Sequence, residues 1–260
     1  MIFLKLGGSL ITDKEQAETV RQDVLSYLCS DIAAFKQANP AARLLIGHGS
    51  GSFGHHEASK YGTQKGVHSE EDWDGYAKVW QAAQRLNHVV VDALAANNLP
   101  VITLSPSASA VCRDGKLHSL ATEPIEHALD AGIVPVVHGD VAMDQSLGGT
   151  IVSTEHVFTF LAKSLQPGRI LIAGREPGVL ADPGEPGSVL ESITGEALER
   201  LQFGAIAGSD VTGGMRTKVK EALNMAQASP DAEIYIFSPT DPGSLLKALN
   251  GGHPGTRILP

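Results

Sequence analysis

Three glycine-rich segments of this chain combine a flexible backbone with a cation or a histidine. They are residues 5–9, residues 48–55 and residues 210–218. Glycines let backbone N–H groups approach phosphate oxygens closely, and a lysine beside them neutralises the charge that moves when a phosphoryl group is transferred. The three segments therefore indicate a phosphate-binding site with the charges that phosphoryl transfer requires.

The first segment has Lys5 inside an apolar run, the pair Gly7-Gly8 in the turn that follows, and then Ser9. We expect Lys5 to reach a phosphate from the end of a strand. The same residues also fit a charge on an edge strand followed by an ordinary turn, because a Gly-Gly pair is weak evidence by itself. Lys14 is either a second cation at this end or a surface lysine in water.

The second segment follows an apolar strand and has three glycines and two serines before His55. Such a segment packs poorly into a core and is typical of an anion-binding loop. If the acceptor is itself a phosphate, two anions must approach each other, and a donor that can become cationic offsets their repulsion. His55 fits this role. The alternative is that His55, like His56, is a loop histidine in water. No acidic or cysteine partner stands at ligand spacing, so no metal site is predicted.

The third segment contains a Gly213-Gly214 turn that leads into an amphipathic run. The first N–H groups of a helix and its positive end favour a phosphate there, and Lys218 projects from the first turns. Two acidic residues, Asp140 and Glu155, come just after apolar strands. We expect Asp140 to orient lysines or bind magnesium, or else to cap a turn.

Apolar runs alternate with helical patterns along the chain, which predicts an α/β fold around a mainly parallel sheet. The clearest helix is predicted from about Gly75 to Asn97, with one buried stripe at spacings of three and four. Residues 166–168 are a candidate hinge. Ligands of open parallel sheets collect beyond the carboxyl ends of the strands, where the glycine-rich segments lie. The strands are predicted at residues 2–6, 44–46, 100–104, 133–137, 170–173 and 234–237.

The composition excludes several classes of protein. A hydrophobic content of 42% in 260 residues is enough for a sizeable core. The formal net charge of -9 disfavours nucleic-acid binding, which needs clustered Lys and Arg. The two cysteines, Cys29 and Cys112, lie far apart and are predicted to be reduced thiols. The chain lacks a secretion signal and the roughly 20 apolar residues of a membrane span, so we expect a cytoplasmic protein that does not bind membranes.

In this order, the motifs resemble the amino acid kinase superfamily over nearly the whole chain. The likeness rests on the start KLGGSLIT, the segment DVTGGM and Lys218, while the segment GSFGH that ends at His55 resembles the isopentenyl phosphate kinases. The resemblance implies a three-layer αβα sandwich with two lobes. Residues 1–167 would form an N-terminal lobe that binds the acceptor phosphate and dimerises, and residues 168–260 a C-terminal lobe that binds the nucleotide.

The resemblance also implies an activity, which is transfer of the γ-phosphoryl group of ATP to isopentenyl phosphate. With Mg2+, a homodimer would make isopentenyl diphosphate, an isoprenoid precursor. The catalytic residues would be His55, Lys5, Lys14 and Lys218. The acceptor would contact Gly49, Gly54, His55, Gly139 and Asp140. ATP would contact Lys5, Gly7, Gly8, Ser9, Ser50, Gly174, Asp182, Gly213, Gly214 and Lys218.

Two departures from the family pattern bear on this site. The family commonly has Ser-Gly-Asp where this chain has Ser153-Thr154-Glu155, so the carboxylate is one methylene further from the backbone. The segment that starts at Gly174 lacks the usual Asp-Gly-Val. Two alternatives stay open: a kinase of the same fold that acts on another small anion, such as a phosphonate or a carboxylate, and a non-catalytic nucleotide-binding sensor.

Overall fold

The computed structural model describes residues 1–182, 185, 187–200 and 214–260. The strands are β1 (Ile2–Leu6), β2 (Leu44–His48), β3 (Val101–Thr103), β4 (Val111–Arg113), β5 (Lys116–Ser119), β6 (Val134–His138), β7 (Asp140–Asp144), β8 (Gly148–Val152), β9 (Arg169–Ala173), β10 (Ser192–Ile193), β11 (Glu233–Phe237) and β12 (Thr256–Ile258). The helices are α1 (Gly8–Ile11), α2 (Gln22–Ala38), α3 (Gly51–Tyr61), α4 (Glu70–Ala96), α5 (Glu123–Asp130), α6 (Thr154–Leu165), α7 (Gly195–Arg200), α8 (Gly214–Ala228) and α9 (Ser244–Leu249).

The main sheet has the strand order β10-β12-β11-β9-β1-β2-β6-β3. Its pairs are parallel except for β11 with β12, which confirms the mainly parallel α/β architecture. Strand β1 lies between β2 and β9, so Lys5 is not on an edge strand and that alternative is wrong. A smaller sheet with the order β5-β4-β7-β8 lies beside the main one.

Two hydrophobic clusters cover the two faces of the main sheet. Phe3 of β1 packs against Phe158 of α6, with 5.1 Å between the ring centroids, in a cluster that also includes residues of α8. The next residue, Leu4, points to the other face, where α2, α4 and α9 pack. Because successive side chains of a strand alternate between faces, a buried strand that is apolar throughout joins two helical layers. The result is the predicted three-layer αβα sandwich.

Helix α4 begins at Glu70, five residues before the predicted start at Gly75. Ser69 caps the helix: its hydroxyl accepts from the Asp72 N–H at 3.2 Å, and the Asp72 carboxylate accepts from the Ser69 N–H at 2.9 Å. This reciprocal capping box satisfies N–H groups that a helix start leaves open. The predicted helix began too late because it was based on the apolar stripe, and the capping residues from Ser69 to Asp72 are polar.

The segment after β2 is largely helical, which corrects the prediction of an anion-binding loop over residues 48–55. His48 is the last residue of β2, and α3 begins at Gly51, so His55 lies in the second turn of a helix. Gly51 has a φ of +50°, a backbone conformation that glycine adopts without strain. The glycines thus make a sharp strand-to-helix turn rather than a long loop.

The boundary that was predicted between two lobes falls in the connection from α6 to β9. Gln166 ends α6 in a left-handed conformation with a φ of +43°. The main sheet continues across this boundary through the pairing of β1 with β9. The division into lobes stays a prediction. In the described part of the chain, no helix is long and apolar enough to cross a membrane.

Candidate active site

A cavity of about 910 Å3 opens beyond the carboxyl ends of β1, β2 and β9, and described residues from each of the three glycine-rich segments line it. Most of the residues predicted for the site line it. They are Lys5, Gly7, Gly8, Ser9, Lys14, Gly49, Ser50, Gly54, His55, Gly139, Asp140, Gly174 and Lys218.

Three further residues, Asp182, Gly213 and Gly214, were also predicted to contact ATP. Asp182 does not line the cavity and lies in an exposed turn, where its N–H donates to Ser188 Oγ at 3.1 Å. Gly214 begins α8 with a φ of +64° and also does not line the cavity. Gly213 lies outside the described residues. The contacts of these three residues with a nucleotide therefore stay predictions.

The turns at Gly8 and Gly49 pack so closely that neither position has room for a side chain. A Cβ atom on Gly8 would lie 2.4 Å from the Gly51 nitrogen, and one on Gly49 would lie 2.9 Å from the Gly8 nitrogen. The helices α1 and α3 therefore begin side by side. Among the described residues, the N–H groups of Gly8, Ser9 and Ser50 donate to no protein acceptor. Such unpaired donors suit a phosphate oxygen.

Lys5 and Glu155 form an ion pair inside the cavity. Lys5 reaches it from β1 with only 5% of its surface exposed, and Glu155 reaches it from the first turn of α6. Ser153 caps that turn by accepting from the His156 N–H at 3.1 Å. Burial raises the pKa of the Glu155 carboxyl, but the charge and hydrogen bond of Lys5 outweigh this and hold the pKa below its usual value. The Glu155 carboxylate is therefore charged at neutral pH.

Two cavity residues that sequence reasoning missed form a second pair, between α6 and α8. His156 Nε2 lies 3.7 Å from Glu221 Oε1, and Glu221 stands one turn after Lys218 on α8. The contact with Glu221 raises the pKa of His156, and the same contact lowers the pKa of Glu221. The spacing of Lys218 and Glu221 placed both on one helix face. Nothing in the sequence pointed from Glu221 to His156.

His55 lines the cavity from the exposed side of α3, and so does its neighbour His56. Both histidines are exposed, so exposure does not indicate which of them would bind a ligand. Lys14 lies on the segment that follows α1, which is tied to α4 by a bidentate ion pair between Glu18 and Arg85. This pair holds the Lys14 segment over one side of the cavity.

Asp140 is buried, with both of its carboxylate oxygens bonded to the backbone. Oδ2 accepts from the Ser107 N–H at 3.1 Å and Oδ1 from the Val141 N–H at 2.9 Å. Burial raises the pKa of Asp140 to about 6, an effect that these hydrogen bonds partly offset. The contacts match the turn-capping alternative, and a role in binding the acceptor stays a prediction.

One wall of the cavity is apolar. It consists of Val79 and Ala83 of α4, Ile151 and Val152 of β8, and Ala58 of α3. Lys5, Lys14 and Lys218 supply cations to the same cavity, so the space suits a ligand with an anionic head and an apolar body.

The fold and the cation-lined cavity agree with a comparison of the sequence against known families. A sequence model of the amino acid kinase family matches residues 1–238, and the chain belongs to this family. Membership in this kinase family implies the use of ATP.

Individual relatives give a more specific comparison than the family model does. The chain is 33% identical over 268 residues to the isopentenyl phosphate kinase of Methanothermobacter thermautotrophicus, with 99% of this chain and 98% of that protein covered. It is 36% identical over 261 residues to that of Haloferax volcanii, with the same coverage. A crystal structure of an isopentenyl phosphate kinase superposes with a TM-score of 0.83 at 31% identity, covering 99% of both chains. The acetylglutamate kinase of Sorangium cellulosum is more distant, at 27% identity over 100% of this chain and 94% of that protein.

Proposed function

We propose that the protein transfers the γ-phosphoryl group of ATP to isopentenyl phosphate and makes isopentenyl diphosphate. The observation that carries this proposal is the single cavity in which three lysines and an apolar wall meet. The full-length similarity to isopentenyl phosphate kinases supports it further.

The acceptor phosphate would lie beside Gly49, Gly54 and Gly139, with His55 above it. Its isopentenyl group would then contact the apolar wall that includes Val79 and Ile151. A carboxylate acceptor with a polar body, such as N-acetylglutamate, has no apolar group of this size to bury. Burying a five-carbon chain is favourable by about 25 cal/mol for each Å2 of apolar surface.

The nucleotide would lie on the side of Gly174 and Lys218, which belong to the C-terminal half of the chain. A phosphate oxygen of the acceptor would attack the γ-phosphorus of ATP as the bond to the β,γ-bridging oxygen breaks and ADP leaves. This reaction needs positioning and charge stabilisation more than a covalent enzyme group. Lys5, Lys14 and Lys218 would neutralise the transferring group, and His55 would donate a hydrogen bond to it.

Glu155 would act through Lys5. Its ion pair with Lys5 holds the ammonium group in one position from the opposite side of the cavity, so that less reorganisation is needed during transfer. This would be the task of the shorter carboxylate in the family pattern. The additional methylene of Glu155 is accommodated, since its carboxylate still reaches Lys5.

The described residues fit a Mg2+ ion that is held mainly by substrate phosphates. Among the described carboxylates at the cavity, Glu155, Glu221 and Asp140 already have partners. This leaves Glu15 and Glu176 to hold water ligands of the ion. When bound, Mg2+ supplies neutralisation of the phosphate charge. Within the described part of the chain, no cluster of three or more His, Cys, Asp or Glu forms a metal site of its own.

A homodimer and a cytoplasmic location also belong to this proposal.

An acceptor panel tests the proposal. Purified protein with ATP and Mg2+ is incubated with isopentenyl phosphate, dimethylallyl phosphate, longer prenyl phosphates, fosfomycin and N-acetylglutamate, and products are identified by mass spectrometry. We expect the highest kcat/KM with isopentenyl phosphate. A higher value with fosfomycin or N-acetylglutamate would assign the enzyme to another small anion, and ATP binding without any product would assign it to the nucleotide sensors.

A further inference from the structure

Two fully buried histidines lie directly beneath the acceptor side of the cavity. His48 and His138 are the last residues of the neighbouring strands β2 and β6, and they are paired in the register of the sheet. Both have 0% exposure. Their rings stack with 5.3 Å between centroids and 14° between planes. The glycine that follows each of them, Gly49 or Gly139, lines the cavity.

Each ring contacts the carbonyl oxygen of the glycine that follows it. His48 Nδ1 lies 3.1 Å from the oxygen of Gly49, and His138 Nδ1 lies 3.0 Å from the oxygen of Gly139. A carbonyl oxygen only accepts hydrogen bonds, so we assign the proton to Nδ1 in both rings. The two histidines therefore share one tautomer.

The Nε2 atoms have partners that can adapt to this tautomer. Asn87 Oδ1 lies 3.2 Å from His48 Nε2, and the Asn87 NH2 group donates to Thr103 Oγ1 at 3.0 Å. Turning the amide over by 180° presents its NH2 group to Nε2 and lets Oδ1 accept from the Thr103 hydroxyl. Ser105 Oγ lies 3.3 Å and Gln84 Nε2 lies 3.5 Å from His138 Nε2, and both can donate. Burial and the neighbouring His138 lower the pKa of His48 to about 4, and burial lowers that of His138 to about 4. The rings thus remain neutral at physiological pH.

The contact between His48 and the Gly49 carbonyl also determines the direction of the Ser50 N–H. The peptide bond between Gly49 and Ser50 is trans, so its N–H points away from its C=O. The C=O is directed into the buried ring of His48, so the Ser50 N–H is directed away from that ring. This N–H donates to no protein acceptor among the described residues, and Ser50 lines the cavity.

We propose that His48 and His138 are positioning residues that hold the Gly49 and Gly139 carbonyls away from the acceptor phosphate and direct the Ser50 N–H toward it. The inference rests on the proposed function, because it names the acceptor phosphate as the ligand. A carbonyl oxygen turned toward that anion would repel it, whereas an N–H group binds it. The rings are not catalytic residues, since they are buried beneath the cavity.

The tautomers are testable without any substrate. Long-range 1H–15N NMR correlation of the protein at pH 7, with signals assigned from His48→Asn and His138→Asn variants, reports which ring nitrogen carries the proton. We expect two neutral rings that are protonated at Nδ1. A proton on Nε2 of either ring would overturn the proposal, because the carbonyl contact would then lack its donor.

The functional part is tested by binding of isopentenyl phosphate and of a non-hydrolysable ATP analogue, measured by calorimetry. His48→Leu removes the donor, and we expect isopentenyl phosphate to bind about tenfold more weakly while the analogue binds within twofold of the wild type. His48→Asn keeps an N–H donor near the Nδ1 position and should recover most of the affinity. Ile170→Val, a change in buried β9, is the matched control for a small loss of core packing.

The possible outcomes separate this inference from the proposed function. If the wild type makes isopentenyl diphosphate but His48→Leu binds isopentenyl phosphate normally, the positioning role is wrong and the activity stands. If the wild type binds isopentenyl phosphate without turning it over, and His48→Leu weakens this binding, the activity is wrong and the positioning role stands. Equal weakening for isopentenyl phosphate and the ATP analogue, or no rescue by His48→Asn, contradicts the positioning role.

Discussion

Lys5 and Glu155, 150 residues apart in the sequence, form an ion pair between the central strand β1 and the first turn of α6. Glu155 therefore holds the side chain of Lys5, which faces the cavity, in position. Both side chains are largely buried, with 7% and 15% of their surface exposed. The pair links the proposed catalysis to the stability of the fold, because neither charge can lose its partner without cost.

The first prediction concerns the stability of this pair. Lys5→Met or Glu155→Gln alone leaves a buried charge without its partner and should lower the free energy of unfolding by about 3 kcal/mol. The double variant removes both charges and should lose clearly less than the sum of the two single variants. Urea unfolding of the four proteins measures the coupling. Strictly additive losses would show that the two groups do not interact in solution.

The second prediction concerns Lys218, which offers a cleaner test of charge stabilisation than Lys5. Lys218 lies on α8 and is only partly buried, so Lys218→Ala should leave the fold intact. Loss of one such electrostatic contact costs about 3 kcal/mol of barrier, or on the order of 10²–10³ in kcat. Lys220→Ala, an exposed lysine two residues further along the same helix, is the control. Steady-state kinetics with unchanged kcat in Lys218→Ala would remove this lysine from the mechanism.

The third prediction concerns His55, on which the choice of a phosphate acceptor chiefly depends. His55→Ala should depress kcat with isopentenyl phosphate while ATP affinity stays nearly normal. His55→Gln should retain part of the activity, because an amide still donates a hydrogen bond although it cannot become cationic. His56→Ala, one residue further along α3, should be mild. Full activity in His55→Ala would contradict the proposed role.

The sequence predicted the parts of this site that local patterns encode. The apolar runs located β1 and β2, and the glycines located the chain reversals near Gly8 and Gly49, because strand ends and tight turns have local signatures. The partnership of Lys5 with Glu155 depends on strand order, which no local pattern contains. The buried stacking of His48 on His138 was missed for a related reason, since a lone polar residue at the end of an apolar run looks the same whether it faces water or the core.

The fourth prediction is a pH dependence from the pair of His156 and Glu221. The pKa of His156 is raised in the folded state, so its contribution to stability is fully present below the unfolded pKa of about 6.5 and is lost as the pH rises through the folded pKa. The side chain is 39% exposed, and solvent screening limits the contribution to about 0.5 kcal/mol. The difference in unfolding free energy between the wild type and His156→Gln should therefore shrink between pH 6 and pH 8. A constant difference over this range would mean that the pair is not ionic.

The last prediction concerns the close approach of Gly8 to Gly51, where α1 and α3 begin. In Gly8→Ala the new Cβ would lie 2.4 Å from the Gly51 nitrogen and 2.7 Å from its Cα. Both are backbone atoms, so the two turns must move apart. Such overpacking typically costs about 1–3 kcal/mol of stability, and the displaced N–H groups should also raise the KM for isopentenyl phosphate or ATP.

Gly195→Ala is the matched control for this change. Gly195 begins α7, and a Cβ built on it meets nothing within 4 Å. Replacing such a glycine by alanine restricts the unfolded chain and should be neutral or stabilise the protein by about 0.4–1 kcal/mol. Thermal unfolding and steady-state kinetics of the two variants decide the question. If Gly8→Ala behaved like Gly195→Ala in both measurements, the contact between the two helix starts would not be needed to bind either substrate.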